Sequence, residues 1–280
     1  MALIWGSSFL FTELSLRFLP FYGVAFWRTF LGGLAMFALV FLLKLQLPKG
    51  AQWFHLWVAG VLMSAIPFSL FSFAQQSTTS SLAAIIGAAT PMFTLLAILT
   101  IYRTEKVTLI ATSGLLIGLI GVAITLGVWE GFGNNDPLAI AALVLATISY
   151  GIGGPYIRKF VTPMNLSGTS TAAAQVFTSA ITLLPFYLLT GPLTIANPTI
   201  ESLLSIVALG VLGSGFAYRL FHDVIKDAGS TVASTVTFTN PVVATIWGVL
   251  LLSEELHWYE PIGGLVVILG AWLAQHKATK

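Results

Sequence analysis

About ten apolar runs, most of them near the 20 residues that a helix needs to cross a hydrocarbon core roughly 30 Å thick, take up almost all of this sequence. Inside a bilayer no water is available to exposed amides, so each run must satisfy its own backbone. The runs lie near 1–18, 21–44, 53–75, 81–102, 108–128, 137–158, 167–190, 201–222, 230–252 and 258–275, separated by Pro, Gly, Asn or charge. Only 8% of the 280 residues are charged and 57% are hydrophobic, against about 25% charged in a soluble domain. Little chain remains for any soluble domain, and the expected fold is an all-α integral membrane protein of ten transmembrane helices. A net charge of +2 without a basic tail offers nothing to nucleic acid. The absence of cysteine excludes disulfides and thiolate chemistry. The start has neither the charged region nor the cleavage site of a signal peptide, so its first helix is expected to stay in the mature protein.

Basic residues set the expected orientation. With the N-terminus inside, the cytoplasmic connections and tail collect Lys44, Lys49, Arg103, Lys106, Arg158, Lys159, Lys226, Lys277 and Lys280, while the outer connections hold only Arg17. Both termini are then cytoplasmic. The outer loops carry Glu130, Asp136, Glu201, Glu254 and Glu255.

The chain also repeats itself. Pro91 and Pro241 lie 150 positions apart, as do Glu105 and Glu255. The same shift sets Gly60–Leu62 on Gly210–Leu212, Ser64 on Ser214, Leu70-Phe71 on Leu220-Phe221, Ser80 on Ser230, and Gly114-Leu115 on Gly264-Leu265. Shortened to 145, it sets Trp5-Gly6 on Tyr150-Gly151. Five spans per half is an odd number, so equivalent helices cross in opposite directions. The halves, 1–128 and 129–280, form an inverted repeat, an architecture that places substrate near the midplane between them. Pro91 and Pro241 fall near mid-membrane, where each removes a donor and frees a carbonyl, Gly87 or Thr237. Unpaired backbone at that depth requires surrounding protein or a water-lined cavity. A packing kink is the plain alternative, but two prolines related by the repeat favour a hinge or cavity wall.

These landmarks together resemble the drug/metabolite transporter superfamily, in particular its EamA-type, ten-helix bacterial branch. The resembling residues are WGSSF at Trp5–Phe9, FWR at Phe26–Arg28, and a block of small residues, Pro, apolar run, Glu and Gly-rich helix that occurs twice. It reads ATP…TE…SGLLIGLIG from Ala89 to Gly121 and TNP…SEE…GGLVVILG from Thr239 to Gly270. The first span is shorter than usual for the family, and the sixth has Tyr150 where the first has Trp5. The resemblance implies export of small metabolites through a cavity opened alternately to each side of a bacterial inner membrane. Amino acids are typical substrates of this branch, and the aromatic amino-acid exporters are the nearest likeness.

Glu13 and Arg28 are the two charges placed well inside the bilayer, where a lone charge costs several kcal/mol, so an ion pair or gate between them is expected. Neutral groups near mid-membrane are the candidates for recognition: Ser7 and Ser8, Thr90, Gln175, Thr239 and Asn240. Hydroxyls among them can equally bond back to their own helix. Trp5, Tyr150, Tyr218 and Trp247 are candidates for aromatic walls around an apolar side chain. Trp53, Trp57, Trp258 and Tyr259 suit the interfacial belt, and Arg219 near the end of the eighth span suits snorkelling. Gly114, Gly118 and Gly121, with Gly263, Gly264 and Gly270, mark close packing, either internal or in a homo-oligomer.

An enzyme is the first rival. His55, His222, His257 and His276 all fall at helix ends, no hydrolytic or metal motif is present, and no catalytic residue, metal or cofactor is expected. Within transport, the alternatives are other metabolites, cationic drugs or nucleosides. A channel or receptor would use similar polar linings. Proton coupling would need a carboxylate near the midplane, and with Glu13 the one candidate, export driven by the substrate's own gradient is the expectation.

Overall fold

The computed structural model describes residues 1–103, 108–125, 127–130, 136–190, 198–252 and 257–274, and every regular element among them is helical. Glu105, Lys106, Glu254 and Glu255, with His276, Lys277 and Lys280, lie outside the described residues. The acidic landmark of the repeat is therefore one of sequence only.

Ten membrane segments follow in chain order: α1 (Ala2–Leu16), α2 (Phe21–Leu42), α3 (Gln52–Ala74), α4 (Ser80–Tyr102), α5 (Leu109–Thr125), α6 (Pro137–Met164), α7 (Gly168–Thr190), α8 (Ile200–Ala228), α9 (Ser230–Leu251) and α10 (Tyr259–Ala274). Seven are 22 to 29 residues long and apolar enough to cross a bilayer, whereas α1, α5 and α10 are shorter. The protein is thus an all-α membrane protein with five helices in each repeat. Local signals fix where the helices start. Asp136 caps α6 by accepting from the Leu138 N–H at 2.9 Å, with Pro137 in the first turn. Thr199 and Ser202 form a reciprocal capping box at α8. Gly229, at φ 93°, turns the chain sharply from α8 into α9. Helix α8 runs six residues past the expected end because Tyr218, Phe221, His222 and Ile225 keep one buried face on an otherwise polar stretch.

The packing has the symmetry of the repeat. Helix α2 packs on α7 and α5 on α10, each on its own counterpart. Helix α1 packs on α8 and α9, and α6 correspondingly packs on α3 and α4. Lipid-facing positions are strongly apolar, with Leu109 and Leu189 more than four-fifths exposed. The interior instead holds many Ser and Thr, whose hydroxyls bond a carbonyl three or four residues earlier, as Thr12 does to Ser8 and Ser69 to Ala65.

Without a hydrophobic drive between helices in lipid, close backbone approach takes over. A Cβ on Gly210 of α8 would lie 2.6 Å from Leu31 Cβ and 3.1 Å from the Arg28 carbonyl of α2. On its repeat partner Gly60 of α3, it would lie 2.5 Å from the Gln175 carbonyl of α7. The glycine stripes of α5 and α10 face each other: a Cβ on Gly121 would meet the Val267 N–H at 2.5 Å, and one on Gly270 would overlap the Gly118 backbone. That packing is internal to the chain. Gly60→Val and Gly210→Val are each expected to cost about 1–3 kcal/mol of stability, read as a lowered melting temperature in detergent. An unchanged melting temperature would mean that these helices do not approach so closely.

Candidate functional site

A cavity lies between the two halves. It offers about 770 Å³ of empty space, mouth included, of which about 70 Å³ is open to the centre of a water molecule. Its lining repeats across the halves. At the offset of 150, Phe68 and Tyr218, Phe71 and Phe221, and Thr90 and Asn240 all line it. At 145, so do Trp5 and Tyr150.

The walls from α4 and α9 are interrupted helices. Helix α4 is helical over Ser80–Gly87 and again over Thr90–Ala97, with Ala88 and Ala89 forming a turn between. Helix α9 passes from Ser230–Ser234 through a 3₁₀ turn, Thr235–Thr239, before the α-helix resumes at Asn240. Pro91 and Pro241 are each the second residue of the resumed helix, where a missing N–H is tolerated. The kink expected within a continuous helix is therefore a break just before each proline. The carbonyls named by the sequence are both satisfied inside the protein: Gly87 accepts from Thr90 Oγ1 at 2.6 Å, and Thr237 accepts from the Asn240 N–H.

The 3₁₀ turn has three residues per turn, so Ser234, Thr237 and Asn240 fall on one face, and all three line the cavity. Thr239, expected at the site, is turned out of this row and does not line it. The aromatic walls come in related pairs. Trp5 lies 5.3 Å from Phe221, and Tyr150 lies 6.0 Å from Phe71, centroid to centroid. Trp5 also meets Tyr218 edge-on at 5.6 Å. Trp247 is not part of these walls, because its indole donates to Ser7 Oγ at 2.9 Å and neither residue lines the cavity.

Most hydrogen-bond donors around the cavity are already engaged. Ser8 donates to Ile4 O, Ser234 to Thr231 O and Thr237 to Ser234 O, so these hydroxyls offer the cavity acceptor lone pairs. The Trp5 indole donates to Gly213 O at 2.9 Å, the Tyr218 hydroxyl to Met63 O, and the Gln75 amide to Phe9 O at 3.0 Å. Asn240 Oδ1 and Thr94 Oγ1 are buried with no hydrogen-bond partner among the described residues.

Arg28 is 5% exposed and is the only charged side chain among the described lining residues. Its Nε donates to Ser214 Oγ at 3.2 Å, and its guanidinium carbon sits 3.5 Å from the centroid of the Phe68 ring. Glu13, expected as its ion-pair partner, is half-buried on α1 and is not among the described lining residues. A guanidinium can take a neutral acceptor and an aromatic face together, and α2 points it to α3 and α8 rather than back along α1.

Gln175 and His222 need correction too. Gln175 is fully buried away from the cavity, donating to Ser64 Oγ at 3.3 Å and meeting His222 Nε2 through Oε1 at 2.9 Å. His222 is therefore an interior residue rather than one exposed at a helix end. Tyr259 is buried beside Trp129, with ring centroids 5.3 Å apart, whereas Trp57 and Trp258 are exposed. The sequence did not single out Phe68, Gln75, Thr94, Ser234 and Thr237 as lining residues. Of these, Thr237 had a signal, its place three residues before Asn240.

The sequence model of the EamA-like transporter family matches residues 1–127 and 137–274. The chain belongs to that family. Among EamA-like relatives, it is 27% identical over 286 residues to a protein named "uncharacterized transporter" from Archaeoglobus fulgidus, covering 98% of this chain and 94% of the relative. It is 24% identical to the "uncharacterized inner membrane transporter YedA" of Escherichia coli, over 97% of this chain and 87% of that one. A solved crystal structure shares the fold with a TM-score of 0.75 at 17% identity, covering 98% of this chain and 94% of the other. The protein is accordingly a multi-pass membrane transporter of small molecules. Because Pro241 occupies a first-turn position, Pro241→Ala is expected to change stability by about 1 kcal/mol or less while lowering transport several-fold, by letting the helix close across the break. Parallel melting curves and uptake assays separate the two effects; unchanged uptake would leave Pro241 a packing residue.

Proposed function

We propose that this transporter exports small metabolites, foremost amino acids with apolar or aromatic side chains, by alternating access at the cavity between its two repeats. The observation that carries the reading is a cavity lined from both halves, walled by repeat-related aromatic rings and by two interrupted helices. In an inverted repeat, exchanging the conformations of the halves opens the same site to the opposite side. Trp5, Tyr150 and Tyr218 hold the apolar side chain, and Ser8, Thr90 and Asn240 meet the polar groups. The halves divide near residue 128, both termini are cytoplasmic, and the membrane is the bacterial inner membrane, as in the relative named from Escherichia coli. No carboxylate is found among the described lining residues, which supports export down the substrate's own gradient rather than proton exchange at this site.

Purified protein in liposomes is expected to take up radiolabelled phenylalanine saturably, with inhibition by apolar amino acids and with counterflow when the lumen is preloaded. A channel or receptor would show no counterflow. Saturable uptake of cationic drugs or nucleosides, untouched by amino acids, would replace the substrate class.

A further inference from the structure

We propose that Arg28 is the anchor for a substrate carboxylate, so that the cavity selects small monoanionic or zwitterionic carboxylates and rejects cations. The inference rests on the transport reading above and specifies its substrate.

Three observations lead to it. First, Arg28 brings a single positive charge into a membrane-embedded cavity with no acidic lining residue among those described. A buried cation without an anion is costly, and a bound carboxylate removes that cost. Second, its contacts with described side chains hold one edge and one face. Nε bonds Ser214 and the guanidinium carbon lies over the Phe68 ring, while the Nη groups carry four further N–H donors, the fork that matches a carboxylate. Third, the other half makes the equivalent contact without a charge. Gln175 of α7, 147 positions on, is the counterpart of Arg28 in α2, and Ser214, 150 positions on, is the counterpart of Ser64. The second half makes the same helix–serine contact with a neutral amide, Gln175 Nε2 to Ser64 Oγ at 3.3 Å, and buries it completely.

The rest of the lining bears on what else the ligand carries. With donors from Trp5, Tyr218, Gln75 and several hydroxyls engaged, the remaining capacity is mainly acceptor, headed by the unpartnered Asn240 Oδ1. A ligand carrying one carboxylate and an N–H or O–H donor on an apolar body satisfies both ends. A phosphate dianion would need more than the one cation among the described lining residues.

The test uses the protein in detergent and a series that shares the phenyl body and differs in its charged groups: phenylalanine, 3-phenylpropionate without the ammonium, and phenethylamine without the carboxylate. Binding is read by isothermal titration. Phenylalanine and 3-phenylpropionate are expected to bind, and phenethylamine to bind about tenfold more weakly or worse. Arg28→Gln should abolish that preference and Arg28→Lys should keep part of it. The wild-type comparison stands even if a variant fails to fold. Equal binding of phenethylamine, unchanged binding of 3-phenylpropionate by Arg28→Gln, or no binding of any carboxylate would overturn the proposal. Carboxylate binding without counterflow would sink the transport reading and leave the anchor standing. Counterflow without carboxylate preference would do the reverse.

Discussion

Every backbone amide at membrane depth must find its partner inside the protein, and this chain departs from continuous α-helix at positions related by its repeat. Helices α4 and α9 break just before Pro91 and Pro241, and α3 and α8 widen into π-helical turns at Val61–Ala65 and Leu209–Phe216. These four departures bring polar groups into the interior. The breaks place Thr90 and the row Ser234, Thr237 and Asn240 on the cavity wall. The wide turns set Ser64 and Ser214 against α7 and α2 and free the Gly213 carbonyl for the Trp5 indole. The freed carbonyls are capped locally, so the interruptions do not depend on water to persist.

The frame is symmetric and its filling is not. A repeat-related scaffold suits two conformations that mirror each other, because each half can adopt the packing that the other gives up. A substrate is not symmetric, and the cavity departs from symmetry where it would be held. Arg28 faces it while Gln175 is turned into the protein by Ser64 and His222, and Asn240 stands where the first half has Thr90. The lining of the cavity is therefore not equivalent between the halves in charge or in hydrogen-bonding groups.

Much of this was legible in the sequence, for physical reasons. Helix number and the two halves follow from apolar runs, an odd count and ordered Gly and Pro landmarks. Trp5, Tyr150, Tyr218 and Asn240 stand out because aromatic or amide groups at mid-membrane beside repeat landmarks have few other uses. What failed depended on rotation and partner choice. Thr239 is equivalent to its neighbours in sequence, but a 3₁₀ turn brings Thr237 to the cavity instead. The contacts of Arg28 with Ser214 and Phe68 were likewise not legible, because depth in the membrane does not say which way α2 faces. His222 looks terminal because the apolar run ends near it, whereas the helix continues to Ala228 with a buried face.

The claim that one cavity serves both sides of the membrane can be tested most directly by labelling. The sequence contains no cysteine, so Ser234→Cys places a single, nearly isosteric thiol on the lining. In right-side-out and inverted vesicles, a membrane-impermeant maleimide is predicted to reach it from either face, with substrate protecting it from both. Labelling from one face only, in both vesicle orientations and regardless of substrate, would contradict alternating access at this site.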